Sequence, residues 1–134
     1  MARIDTKRSK LMLGILYKEL SYKIIGLSME VHRELGYGFL EKVYENALMI
    51  LFEEKNIKAE QQKQIIIKFH GKEIGNYISD LLVEDKIIIE LKVVTKIKDI
   101  HRAQVANYLK ATGKKLGIII NFGNEKLEFE RVVM

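Results

Sequence analysis

Residues 80–92 read Asp80-Leu-Leu-Val-Glu-Asp-Lys-Ile-Ile-Ile-Glu-Leu-Lys92, and the way this stretch pairs with itself decides the fold. Val83, Ile87, Ile88, Ile89 and Val93 are strong strand formers and call for a buried or half-buried sheet. A charge is costly in such a sheet unless it is paired or holds a metal. Side chains alternate along a strand, so Ile88, Glu90 and Lys92 point one way while Ile87, Ile89, Leu91 and Val93 point the other. One face reads as core and the other as the carrier of chemistry.

The turn before Glu90 sets the geometry. A two-residue loop at Glu84-Asp85 pairs Asp80 with Ile89 and sends it to the face opposite Glu90. A loop of Glu84 to Lys86 instead pairs Asp80 with Glu90. Facing residues of an antiparallel pair have Cβ atoms about 5 Å apart, and like charges so placed repel unless a cation lies between them. Oxygen-only ligands suit magnesium or manganese. The bland alternative is a solvated edge hairpin in which Glu90 and Lys92 line a wet face.

The rest of the chain sets bounds on these readings. With 134 residues, 48% hydrophobic, it has the length of one domain that buries about two-thirds of its surface. Cysteine is absent, which excludes disulfides and thiolate-bound zinc, so any metal uses oxygen or histidine. The polar start and the lack of a long apolar run give no signal peptide and no membrane span, and a cytoplasmic location is expected. A net charge of +5, spread over 23 basic and 18 acidic residues, favours anionic partners weakly.

In order, residues 1–10 read as a loose basic lead and 11–134 as a single domain. From about Leu11 to Leu35 an apolar stripe of Ile24, Leu27, Ser28, Val31 and Leu35 predicts a helix stopped by Gly36, with His32 at the stripe's boundary. A glycine-hinged link, Gly36 to Tyr44, leads into a second helix ending near Lys55. Leu40, Val43, Ala47, Leu48 and Leu51 are its expected buried face, and Glu41, Tyr44, Glu45 and Leu48 share one side. Strands follow at Gln64–Phe69, Asn76–Val83 and Lys86–Val94, the first two joined by a turn at His70–Gly75. Asp99 is the expected N-cap of a helix over Ile100–Thr112, in which His101, Gln104 and Tyr108 share a face. Leu116–Phe122 is continuously apolar, as a central or parallel strand is, and Leu127–Val133 alternates. The intervening helix permits a right-handed crossover to a parallel strand.

A helix bearing an acid, an Asp strand, a Glu-x-Lys strand, a helix and a further strand together resemble the PD-(D/E)xK nuclease superfamily. Gly38-Phe-Leu-Glu41-Lys-Val-Tyr44 resembles, more closely, the signature of the small prokaryotic GxxExxY family placed in that superfamily. The resemblance extends to Val31-His32-Arg33-Glu34-Leu35-Gly36, to Gln104-Val-Ala-Asn107-Tyr108-Leu109, and to the Asn121-Phe122-Gly123 strand ending. Ser79 stands where the superfamily name has proline.

The resemblance implies an α/β (mixed α+β) restriction-endonuclease-like core, a central mixed sheet flanked by helices in the order ααβββαββ. It makes Asp80 and Glu90 metal ligands for Mg2+ or Mn2+, with the Leu91 carbonyl as a third and Glu41 as an auxiliary. Lys92 then positions or deprotonates water and offsets phosphate charge, while Gln104 and Tyr108 steady the metal or the phosphate. Tyr44, His101 and His32 are supporting candidates. The activity so implied is metal-dependent hydrolysis of nucleic acid, DNA ahead of RNA. So short a chain has little material for gripping a duplex, which favours a homodimer, a partner protein, or a single-stranded or flexible substrate. The competing expectation is a nucleic-acid-binding or regulatory module that keeps the fold without turnover.

Overall fold

A computed structural model describes residues 17–134, so the expected basic lead and the expected helical turns before Tyr17 lie outside the described residues. The elements are α1 (Lys18–Leu35), α2 (Glu41–Glu54), β1 (Ala59–Phe69), β2 (Lys72–Val83), β3 (Ile87–Lys92), α3 (Asp99–Thr112), β4 (Leu116–Asn121) and β5 (Glu128–Val133). The five strands lie in sequence order in one sheet, antiparallel except for β3 and β4. That parallel pair is joined by α3 as a crossover, so the order and mixed sheet expected from the sequence are those observed.

The alternation of β3 divides the core in two. Ile87, Ile89 and Leu91 pack with α1 and α2 through Ile24, Val31, Leu48 and Phe52. Ile88 points to the other face and joins Val105, Tyr108 and Leu109 of α3. Because β3 is the middle strand, the wet edge hairpin is excluded, and Glu90 is only 7% exposed.

Several local expectations are corrected. The β1–β2 turn is not His70–Gly75 but the tight pair His70-Gly71, at φ +50° and +74°, flanked by the pair Phe69↔Lys72. Two consecutive left-handed residues match the twist of a two-residue hairpin, which lets both strands run further than their apolar cores suggest. β1 therefore starts at Ala59 rather than Gln64, its polar residues Glu60, Gln61 and Lys63 pairing with Leu82, Leu81 and Ser79. In α2, Leu40 and Val43 are exposed and the buried face is Tyr44, Glu45, Leu48 and Phe52. The Tyr44 ring turns the helix this way, because it stacks on Phe122 at 4.3 Å while its hydroxyl donates to the Gly36 carbonyl at 2.6 Å. Asp99 is the first residue of α3, and Lys98 is its N-cap. An ammonium group cannot accept, so the Lys98 carbonyl takes the His101 N–H (3.0 Å) and His101 Nδ1 accepts the Lys98 N–H (3.0 Å).

The end of β4 is clamped to the end of β3. Asn121 is fully buried, and its Oδ1 accepts the Val94 and Gly123 N–H groups while its Nδ2 donates to the Val94 carbonyl and to Glu128 Oε1. The Phe122 N–H bonds the Lys92 carbonyl at 2.8 Å. A Cβ at Gly123 would meet the Val94 oxygen at 2.4 Å and its nitrogen at 2.6 Å, both backbone atoms that cannot swing aside. Gly123→Ala is therefore expected to destabilise by about 2 kcal/mol or more, read as a lower urea midpoint. An unchanged midpoint would show that this clamp is not tight.

Candidate active site

The pairs Leu81↔Ile89, Leu82↔Ile88 and Val83↔Ile87 leave Glu84–Lys86 as a three-residue loop. Glu84 and Asp85 both take positive φ, and the Lys86 N–H closes the turn on the Val83 carbonyl at 2.9 Å. Continued by one residue, this register sets Asp80 opposite Glu90. The backbone ladder stops at Leu81↔Ile89, and beyond it Asp80 Oδ2 accepts the Leu91 N–H at 2.8 Å. A side-chain carboxylate thus closes the ladder where the strands part.

Both carboxyl groups bind their protons more tightly than they would in water. Burial pushes Glu90 up to about 8, and the facing Asp80 charge adds to the rise while Lys92 opposes it. Asp80 is raised as well, first by burial and then by the charges of Glu45 and Glu41, against the Leu91 N–H and Lys92, which lower it. Asp80 is thus the point at which carboxylates of α2 and β3 meet. Glu90 Oε1 is buried and has no hydrogen-bond partner among the described residues.

The remaining residues singled out in the sequence divide into those near this pair and those behind it. Lys92 is partly exposed and forms no ion pair among the described residues, yet its charge is felt by Asp80, Glu90 and His101. Burial chiefly, with Lys92 next, lowers His101, whose Nδ1 is already committed to the α3 cap. Tyr108 is buried on the same side, its hydroxyl pushed up to about 12 by burial and then by Glu90. Gln104 is exposed on α3. Glu41 opens α2 and is exposed. Tyr44 and His32 stand behind the site: His32 Nε2 donates to the Asn124 carbonyl at 2.7 Å, its ring 6.1 Å from Phe122. The Gly36–Leu40 link wraps around the Tyr44 hydroxyl, which also takes the Phe39 N–H, and Gly38 turns there at φ +108°.

Sequence reasoning missed Glu45 as a neighbour of the site. It is 3% exposed, bonded by Lys42 at 2.8 Å, Gln61 at 2.6 Å and Gln62 at 2.7 Å, and it acts on Asp80 ahead of Glu41. Gln62 lies between the pairs Gln61↔Leu81 and Lys63↔Ser79, as Asp80 does on β2, and has a left-handed φ of +53°. Such a backbone in a non-glycine residue is strained and persists where its surroundings fix it. The available signal was the spacing Glu41-Glu45, one helical turn apart on the side shared with Tyr44.

No group of three or more histidine and acidic side chains converges as a metal cage among the described residues. The pair itself fits a hard cation: two facing carboxylates, one carrying a buried orphan oxygen, repel each other until a positive charge joins them.

A sequence model of the PD-(D/E)XK nuclease superfamily matches residues 18–132. The chain belongs to this superfamily. The crystal structure of SSO0001 is similar at 17% identity and a TM-score of 0.54, covering 93% of this chain and 61% of that one. An alkaline exonuclease (LHK-Exo) from Laribacter hongkongensis is similar at 16% identity and a TM-score of 0.50, covering 69% of this chain and 55% of that one. The chain thus spans less than two thirds of the length of either, and at these identities the likeness is one of fold. No curated protein matches the chain in sequence. Among the described residues, no helix of this superfamily member is long and apolar enough to cross a membrane.

Proposed function

We propose that the protein is a metal-dependent nuclease that hydrolyses phosphodiester bonds at the Asp80–Glu90 pair. The observation that carries this reading is the pair of neighbouring carboxyl groups, Glu90 buried and Asp80 half-buried, with an orphan Glu90 oxygen and Lys92 two residues on, in a chain of a nuclease superfamily. Asp80 and Glu90, with the Leu91 carbonyl, are the assigned ligands of Mg2+ or Mn2+, and Glu41 is the auxiliary acid. The bound cation supplies Lewis-acid neutralisation of a phosphate oxygen. Lys92 orients the attacking water and offsets the charge that grows on phosphorus as the P–O bond to the leaving group breaks. Gln104 and Tyr108 steady the site from α3. Tyr44, His32 and the His101 cap hold the elements that carry it.

The finer assignments belong to the same proposal. The Gly38-x-x-Glu41-x-x-Tyr44 signature supports placement in the prokaryotic GxxExxY family. DNA is the preferred substrate over RNA, the location is cytoplasmic, and residues 11–134 form the catalytic domain behind a basic lead. A homodimer or a partner protein extends the grip on substrate. The test is a cleavage panel of single-stranded, duplex and branched nucleic acids with Mg2+ or Mn2+. Metal-dependent cleavage of at least one substrate is expected. Salt-sensitive binding without cleavage of any would replace this reading with that of a binding module.

A further inference from the structure

The rim of the site carries an aromatic side chain to which no role has been assigned. Tyr77 lies on β2 three residues before Asp80, about 10 Å along the strand. It pairs across the ladder with Ile65, which is 5% exposed and packs under α3, while Tyr77 itself remains 44% exposed. Its ring leans on Tyr108 with centroids 5.2 Å apart and planes at 58°. Tyr108 in turn lies within electrostatic reach of Glu90 and Asp80. A large aromatic ring is thus half in water and braced against Tyr108, which itself feels the charges of the carboxylate pair. Pure packing does not require that exposure, whereas a planar ring held at a fixed angle is what a nucleobase needs as a stacking surface.

We propose that Tyr77 is a stacking platform for the base of a nucleotide next to the scissile phosphate, and that the substrate is therefore unpaired at that nucleotide. This rests on the nuclease reading of the Asp80–Glu90 pair. A base inside a duplex has its faces covered by its neighbours and cannot offer one to a protein ring without leaving the stack. A single strand or a frayed end offers it freely. Aromatic stacking tolerates every base, so this platform selects strand state rather than sequence.

The test reads affinity in EDTA, where no turnover is needed. Fluorescence anisotropy compares a labelled single-stranded DNA with the same strand made abasic, for the wild type, Y77F, Y77L and Y77A. Y77L keeps an apolar side chain against Tyr108, and thermal melts check that each variant folds. Y77L and Y77A are expected to weaken binding of the base-bearing strand about tenfold and to bring the ratio of the two affinities near one. Y77F is expected to keep the wild-type ratio. A wild-type ratio in folded Y77L, or equal wild-type affinity for the two strands, would overturn the proposal. Cleavage of the base-bearing strand by the wild type with Mg2+ is measured separately, so loss of the nuclease reading is told apart from loss of the platform.

Discussion

Lys92→Ala is expected to slow magnesium-dependent phosphodiester cleavage about 100-fold or more while leaving cation affinity intact or slightly higher. A protonated amine is not a ligand for a hard cation, and Lys92 makes no ion pair with Asp80 or Glu90 that its removal would break. Its charge lowers the proton affinity of both carboxyl groups from a partly exposed position at the end of β3. The loss therefore falls on the transition state, where water must be oriented and phosphate charge offset. The backbone at Lys92 is held by the Phe122 N–H, and Val94 is held by Asn121, so truncation should leave the strand in place. Single-turnover cleavage and calorimetric titration with Mg2+ check the two halves independently. An unaltered rate, or a rate lost together with metal affinity, would count against this role.

Stability without metal is expected to fall as pH rises from about 4.5 to about 8, and Mg2+ should restore it. Glu90 has a folded pKa raised from 4.5 to about 8, and Asp80 is raised in the same direction. An acid whose folded pKa is raised contributes its full stability below the unfolded value. That stability is lost as the unfolded chain, but not the folded one, releases its proton. By neutral pH the loss from Glu90 is on the order of 3 kcal/mol. A cation that binds the ionised pair competes with protons, so its stabilising effect should be larger at pH 8 than at pH 5. Asp80→Asn should raise the melting temperature of the metal-free protein at pH 8 and abolish most of the Mg2+ response. Thermal melts with no Mg2+ effect at pH 8, and no gain from Asp80→Asn, would sink this account.

The stretch 80–92 was legible because alternation leaves few choices: once Ile87 and Ile89 are core, Glu90 and Lys92 must share the opposite face. The residues alone left two loop lengths open, since a three-residue loop sets two like charges face to face; the resemblance that makes Asp80 and Glu90 partners favoured Glu84–Lys86, and that loop is the one observed. The parallel β3–β4 pairing was also legible, in the unbroken apolar run of β4 and the helix before it. The face of α2 was misread because Leu40 and Val43 looked like core, while the residues that set its rotation act through distant partners. Tyr44 finds its place through Phe122 and Gly36, and Glu45 through Gln61 and Gln62, contacts with no local periodicity. The Asp99 cap failed for a similar reason. His101 closes the first turn through its ring nitrogen, and Asp99 instead pairs with Arg102 at 2.6 Å. The polar start of β1 was invisible to any hydrophobic pattern, since backbone pairing with β2 alone makes it a strand.

The most direct measurement is a crystal soaked in Mn2+ at pH 8, with an anomalous difference map calculated at the manganese edge. A peak between the carboxylates of Asp80 and Glu90, near the Leu91 carbonyl and with Lys92 turned away from it, is the predicted result. A map with no peak there, and with the Lys92 ammonium bridging the two carboxylates instead, would contradict the assignment of this pair as a metal centre.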